Sequence, residues 1–129
     1  MFKKTRRLAT NNLPTATIVK IDDYYYFIKG DFRLKFVSKT AVDSWNSRVV
    51  EGDSSLLDKY HPGGLIGFRD GTLLATGYGL PGMFLVSGGK LRRVPDNETL
   101  HALGLRESDV LWVSLEELIV HKEGEPIER

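Results

Sequence analysis

Apolar and polar positions along the chain fall into short runs divided by Gly, Asp and Asn, and the runs come round twice. "YFIKGDFRLKFVSKTAVDSWN" (26–46) lies over "FLVSGGKLRRVPDNETLHALG" (84–104) at a spacing of about 58. Tyr26 falls on Phe84, Ile28 on Val86, Gly30 on Gly88, Phe36 on Val94, Val42 on Leu100 and Trp45 on Leu103. Ser38 and Asp96, both good N-caps, coincide. So do Asn46 and Gly104, the residue types that best tolerate the left-handed position just past a helix. Further on, Ser55 with Asp58 and Ser114 with Glu117 read as paired capping boxes.

Each copy therefore predicts the same elements. An opening strand (17–21; 72–76) leads into a hairpin (24–36; 83–94), rich in the β-branched and aromatic residues that favour strands. A short helix follows (39–45; 97–103), then a brief strand (48–50; 110–113) and a second short helix (56–60; 115–121). The fold class expected is α+β: two pseudo-symmetric repeats of β-hairpins with short helices, preceded by an extended N-terminal arm. The boundaries are 1–16 for the arm, 17–68 for repeat 1 and 69–129 for repeat 2, with the repeats together in one compact domain. A unit of about 55–60 residues buries little apolar surface alone, so the copies are expected to cover each other about a pseudo-twofold axis. The expected core comprises Ile18, Phe27, Ile28, Phe36, Val42, Trp45 and Leu57 in the first copy. In the second it comprises Leu73, Phe84, Val86, Val94, Leu100, Leu103, Trp112 and Leu118.

Charge changes this picture at one place. The 129-residue chain has a net charge of +1, yet Lys3, Lys4, Arg6 and Arg7 put four positive charges in its first seven residues. The rest carries −3. A basic arm and a more acidic body can meet in neighbouring subunits. The overall balance gives no push toward nucleic acid. With no cysteine, disulfides and thiolate metal sites are excluded. The basic start is followed by no apolar segment of signal-peptide type, and the chain reads as a complete product made in the cytoplasm.

The sequence "ATGYGLPGMFLV" (75–86) contains Gly77, Gly79 and Gly82 in G-x-G-x-x-G spacing. A dinucleotide loop needs a helix N-terminus directly after its glycines. Here "MFLV" follows, a strand pattern, and Pro81 removes an amide donor. The loop reads as a connection between strands, and no cofactor is expected.

Other candidate chemistry is thin. His61, His101 and His121 have no partners at metal-ligand spacing, and no metal is expected. His121 lies near a helix C-terminus, where a cation is favoured. Asp22 and Asp23 read as turn residues; nothing brings Asp109 or Glu117 to them as a catalytic pair. No nucleophile elbow is present, and no catalytic residue is assigned. Tyr24, Tyr25 and Tyr26, with Arg92 and Arg93, form a possible ligand face of aromatics and bases suited to a glycan.

Residues 70–127 resemble a repeat found in bacterial, especially actinobacterial, cell-surface proteins and in phage particle proteins. That repeat has the shape G-T-L-(V/I)-K-G-S-G-P, then N-G-K-K-R-x-(I/V)-P, then a short helix ending in A-L-G-Y. The matching residues are Gly71-Thr72-Leu73-Leu74, Gly77, Gly79, Phe84-Leu85-Val86, Gly89-Lys90, Arg92-Arg93, Val94-Pro95, Ala102-Leu103-Gly104 and Ser114. Leu80-Pro81-Gly82 and Lys122-Glu123-Gly124 depart from it. The resemblance implies a scaffold or adhesive role rather than a reaction.

The function expected is a non-enzymatic structural subunit of a large assembly. A bacteriophage virion protein (head decoration, connector or tail accessory) comes first, made in the bacterial host cytoplasm and located in the virion. Its partners would be other protein subunits, including copies of itself, held through Phe2, Lys3, Lys4, Arg6, Arg7, Leu8 and Leu13. The alternative is a carbohydrate- or cell-envelope-binding module at the cell surface. Neither needs membrane insertion.

Overall fold

The computed structural model describes residues 13–77 and 79–128. The chain divides into two compact units, one ending at Ile66 and the other beginning at Gly67. Each unit is a mixed α/β structure built on a five-stranded sheet with a few short helical turns.

In unit 1 the strands are β1 (Ile18–Ile21), β2 (Tyr24–Lys29), β3 (Phe32–Phe36), β4 (Val49–Glu51) and β5 (His61–Ile66). Their order is β4-β1-β2-β3-β5. The three central strands form an antiparallel meander, and the outer strands run parallel to their neighbours. Parallel neighbours need crossovers. Helix α1 (Lys39–Ser44) supplies the first, from β3 to β4, and the 3₁₀ turn Ser54–Lys59 the second, from β4 to β5.

Alternation along the strands divides the core between the two faces of this sheet. Ile18 pairs with Phe27 and faces the side of α1, where Phe27, Phe36 and Trp45 pack ring against ring at centroid distances of 4.9 to 6.3 Å. Val19 and Ile28 belong to the other face. With Ile21 and Tyr60 they form a buried cluster against which Leu13, Tyr26, Val50, Leu56 and Leu57 pack. Complete burial of a side chain of this size contributes about 1.5–3 kcal/mol.

In unit 2 the strands are β6 (Leu73–Ala75), β7 (Met83–Ser87), β8 (Lys90–Val94), β9 (Leu111–Trp112) and β10 (Lys122–Glu123). The sheet runs β10-β8-β7-β6-β9. Read from its other edge this is the order of unit 1, again with a central antiparallel meander and parallel outer strands. Helix α2 (Asn97–Ala102) lies between β8 and β9, followed by the 3₁₀ turn Glu107–Asp109. Helix α3 (Leu115–Leu118) lies between β9 and β10. Leu73, Val94 and Leu100 form one buried cluster, and Phe84, Val86, Leu74 and Leu118 are fully enclosed.

The helix ends follow the sequence. Ser38 Oγ accepts from the Ala41 N–H at 3.1 Å, and Asp96 Oδ1 from the Thr99 N–H at 2.8 Å. Asn46 and Gly104 take φ of 49° and 81° just past the two helices. Ser114 and Glu117 form the expected reciprocal box.

Other expectations are corrected. The cap before the 3₁₀ turn of unit 1 is Asp53, which accepts from the Ser55 N–H and hydroxyl; Ser55 is a donor there. Two strands, β5 and β10, appear where none was expected. β5 reads "HPGGLI", poor in strand formers, but it lies at a sheet edge, where Pro is tolerated. Its pairing with β3 shifts register between Arg33 and Lys35. Trp112 and Leu103, expected in the core, are 70% and 41% exposed. Trp112 sits on an outermost strand of two residues, where nothing described covers its outer side. Leu103 is the C-cap of α2, at the rim of its helix.

Candidate functional site

The entry of the chain into each unit is fastened in the same way. In unit 1, Tyr60 follows the 3₁₀ turn directly, and its hydroxyl accepts the Leu13 N–H at 2.9 Å. In unit 2, His121 follows α3, and its Nε2 accepts the Phe68 N–H at 2.9 Å. The Nδ1 of His121 lies 2.8 Å from the Gly89 carbonyl, to which it donates. A ring that accepts at Nε2 and donates at Nδ1 is the neutral tautomer. His121 is 8% exposed. It is a structural tie, and the expected role as a cation at a helix end is replaced by this one.

The next turn repeats as well. Thr17 Oγ1 donates to the Pro14 carbonyl at 2.7 Å, and Thr72 Oγ1 to the Arg69 carbonyl at 2.6 Å. The Ala16 N–H bonds the Ile28 carbonyl at 2.6 Å, and the Gly71 N–H bonds Val86 at 2.7 Å. Ala16 and Gly71 both have positive φ, 70° and 95°. A non-glycine residue is strained there, so Ala16 is held by the bonds around it.

The glycine loop joins the antiparallel strands β6 and β7. The strand Met83–Ser87 begins directly after Gly82, so no helix N-terminus faces the loop. A side chain at Gly82 would meet the guanidinium of Arg93, which donates to the Pro81 carbonyl at 2.8 Å. The loop is closed by its own unit. Just before it, Thr76 is 5% exposed, and its hydroxyl has no partner among the described residues.

The tyrosines of the possible ligand face are not equivalent. Tyr24 is half exposed, and the Lys35 ammonium lies 3.8 Å from its ring centroid, a cation–π contact. Lys39 Nζ stands 6.0 Å from the Tyr25 centroid and 2.7 Å from Asp43. That hydrogen bond raises the Lys39 pKa above the ordinary lysine value. Tyr26 packs against the Val19 cluster. Arg92 and Arg93 belong to unit 2. Arg92 donates to the Glu125 carbonyl at 2.9 Å, and Arg93 also lies over the Phe84 ring.

His101 pairs with Glu107 at 2.9 Å, and the hydrogen bond holds the Glu107 carboxyl below its usual range. His61 stacks at a tilt beside Phe32. No group of three or more His, Asp or Glu residues suited to a metal occurs among the described residues. No helix among them is long and apolar enough to cross a membrane.

Two surfaces bear on the expected contacts. Unit 1 has a groove of about 420 Å³ lined by Leu13, Val50 and Leu56, with the polar residues Glu51, Asp53 and Lys59 among its walls. Of the arm residues assigned to partner contacts, Leu13 is described, and it packs onto its own unit. Phe2, Lys3, Lys4, Arg6, Arg7 and Leu8 lie outside the described residues. Unit 2 presents Trp112, Leu115 and Ile119, which are 70%, 37% and 62% exposed. Leu115 and Ile119 are four residues apart across α3 and share one side of it, while Leu118 turns inward. Sequence reasoning missed this surface because it placed Trp112 inside. The available signal was the length of the apolar run "VLWVSLEELIV", more than a two-residue edge strand and a one-turn helix can bury. No known protein family, no curated protein and no solved structure matches the chain.

Proposed function

We propose that the protein is a non-enzymatic assembly subunit made of two diverged copies of one small unit, the second bearing an exposed apolar contact surface. The shared strand order, the paired helix caps and the twin ties at Tyr60 and His121 support the duplication. The observation that carries the assembly role is Trp112. A large aromatic side chain 70% exposed, with Leu115 and Ile119 exposed in the same eight-residue stretch, is what partner surfaces are enriched in. Several polar groups among the described residues are engaged within their own unit. Arg92, Arg93 and His121 bond backbone groups of their own unit, and Lys35 and Lys39 lie by the tyrosines.

The basic N-terminal segment supplies a second contact in this reading. The resemblance of residues 70–127 to a surface and phage-particle repeat favours a particle, such as a bacteriophage virion, as the setting. The test is native isolation of the tagged chain from the cells that make it, followed by sedimentation and electron microscopy. Recovery in a stoichiometric particle or complex is the expected result. Recovery as a monomer that turns over a small-molecule substrate would refute the reading.

A further inference from the structure

We infer that the Trp112–Ile119 surface of unit 2 is the docking site for the N-terminal segment, residues 2–8, of a second copy of this chain. The inference rests on the assembly reading and names the contact within it.

Charge separates along the chain into three parts. Residues 1–12 carry +4, residues 13–66 carry seven bases and seven acids, and residues 67–129 carry seven bases and ten acids. These net values of +4, 0 and −3 give the chain's +1. The electrostatic complement of the basic segment is therefore unit 2. The groove of unit 1, of whose wall Leu13 forms part, belongs to a neutral unit and sets Lys59 beside Glu51 and Asp53; it offers no exposed aromatic like Trp112.

The patterns match at closer range. In the segment, Phe2 and Leu8 flank Lys3, Lys4, Arg6 and Arg7 with no acid between. On unit 2, exposed Trp112, Leu115 and Ile119 flank the exposed carboxylate of Glu116 and the half-buried one of Glu117, which caps α3. Apolar ends bracket a charged middle on both sides, with opposite signs. Six extended residues span about 20 Å, enough for Phe2 and Leu8 to reach opposite ends of a one-turn helix and its preceding strand. Apolar contact supplies affinity, and the charges supply steering and register.

The test uses the full chain carrying 5-fluorotryptophan, whose two ¹⁹F resonances are assigned with Trp112→Phe. A chain with its own segment reversed in charge (Lys3→Glu, Lys4→Glu, Arg6→Glu, Arg7→Glu) is titrated with a synthetic peptide of residues 1–12. The Trp112 resonance should shift saturably while that of Trp45 stays. Ile119→Ser, or a peptide with Phe2 and Leu8 replaced by Ser, should each weaken binding by about tenfold or more. Raising salt from about 0.05 to 0.5 M should weaken it further. In parallel, the native chain should sediment as a dimer or larger species, and the charge-reversed chain as a monomer. A peptide that moves neither resonance overturns the docking site; if the native chain still self-associates, the assembly reading stands without it. Equal binding by the Ser-substituted peptide overturns the apolar half of the match. A native chain that stays monomeric at all concentrations, with its Trp112 resonance already at the peptide-bound position, overturns docking between copies.

Discussion

Unit 1 fastens the segment that leads into its first strand with a tyrosine, and unit 2 fastens the corresponding segment with a histidine. The two side chains have different shapes and chemistry, yet each follows the second crossover and accepts one backbone N–H, from Leu13 or Phe68. What is kept between the units is a hydrogen-bond acceptor just before the last strand, on a residue of a different type. The outer strands show the opposite behaviour. In register with the neighbouring strands, β4 ends on Glu51 and β9 on Trp112, an exposed acid in one unit and an exposed indole in the other. The tie keeps its hydrogen bond under a change of residue type, whereas the edge strands end on residues of different chemistry.

The largest effect should come from removing the histidine tie. His121→Ala leaves the buried Phe68 N–H and the Gly89 carbonyl without their partner and opens a cavity. It should cost about 3 kcal/mol. Tyr60→Phe removes one hydrogen bond and keeps the ring, so about 1 kcal/mol is expected. Denaturant unfolding of both variants would check the order, and equal losses would contradict it.

The left-handed positions sharpen the same comparison. Gly71→Ala should destabilise by about 1 kcal/mol, and Ala16→Gly should be neutral or stabilising, because both residues have positive φ in matching turns. Opposite signs in thermal unfolding are the expected result. A smaller change tests the buried hydroxyl of unit 2. Thr76→Val removes an unpartnered donor with little change of shape, and the midpoint should stay or rise by up to about 1 kcal/mol equivalent. A clear loss would mean that the hydroxyl has a partner.

The smallest effect lies at the surface. The His101 hydrogen bond lowers the folded-state pKa of Glu107, so its contribution to stability is present above the unfolded carboxylate value and is lost as pH falls through the lowered one. In His101→Ala the Glu107 titration followed by NMR should move up toward the ordinary carboxylate range.

Much of this architecture was legible in the sequence because it is local. Ser38, Asp96, Asn46 and Gly104 act within one helix turn, and alternation in "YFIKGDFRLKF" marks the hairpin without reference to the rest of the chain. What was missed is set at a distance. β5 is a strand because β3 offers it an edge, despite Pro62, Gly63 and Gly64. Tyr60 and His121 bond groups 47 and 53 residues away. A pairing of Asp53 with Ser114, rather than Ser55 with Ser114, would have set Tyr60 over His121 and exposed the correspondence. Trp112 was placed inside on its hydrophobicity alone, which carries no information about which strand is outermost.

A single substitution at Trp112 tests whether the two outer strands differ in role. Trp112→Glu gives unit 2 the residue that unit 1 carries at the corresponding place, and sedimentation velocity of the full-length variant beside the native chain reads the result. Association lost, with the unfolding midpoint unchanged, is the outcome predicted. Association retained, or a variant that no longer folds because the indole belonged to the core, would contradict it.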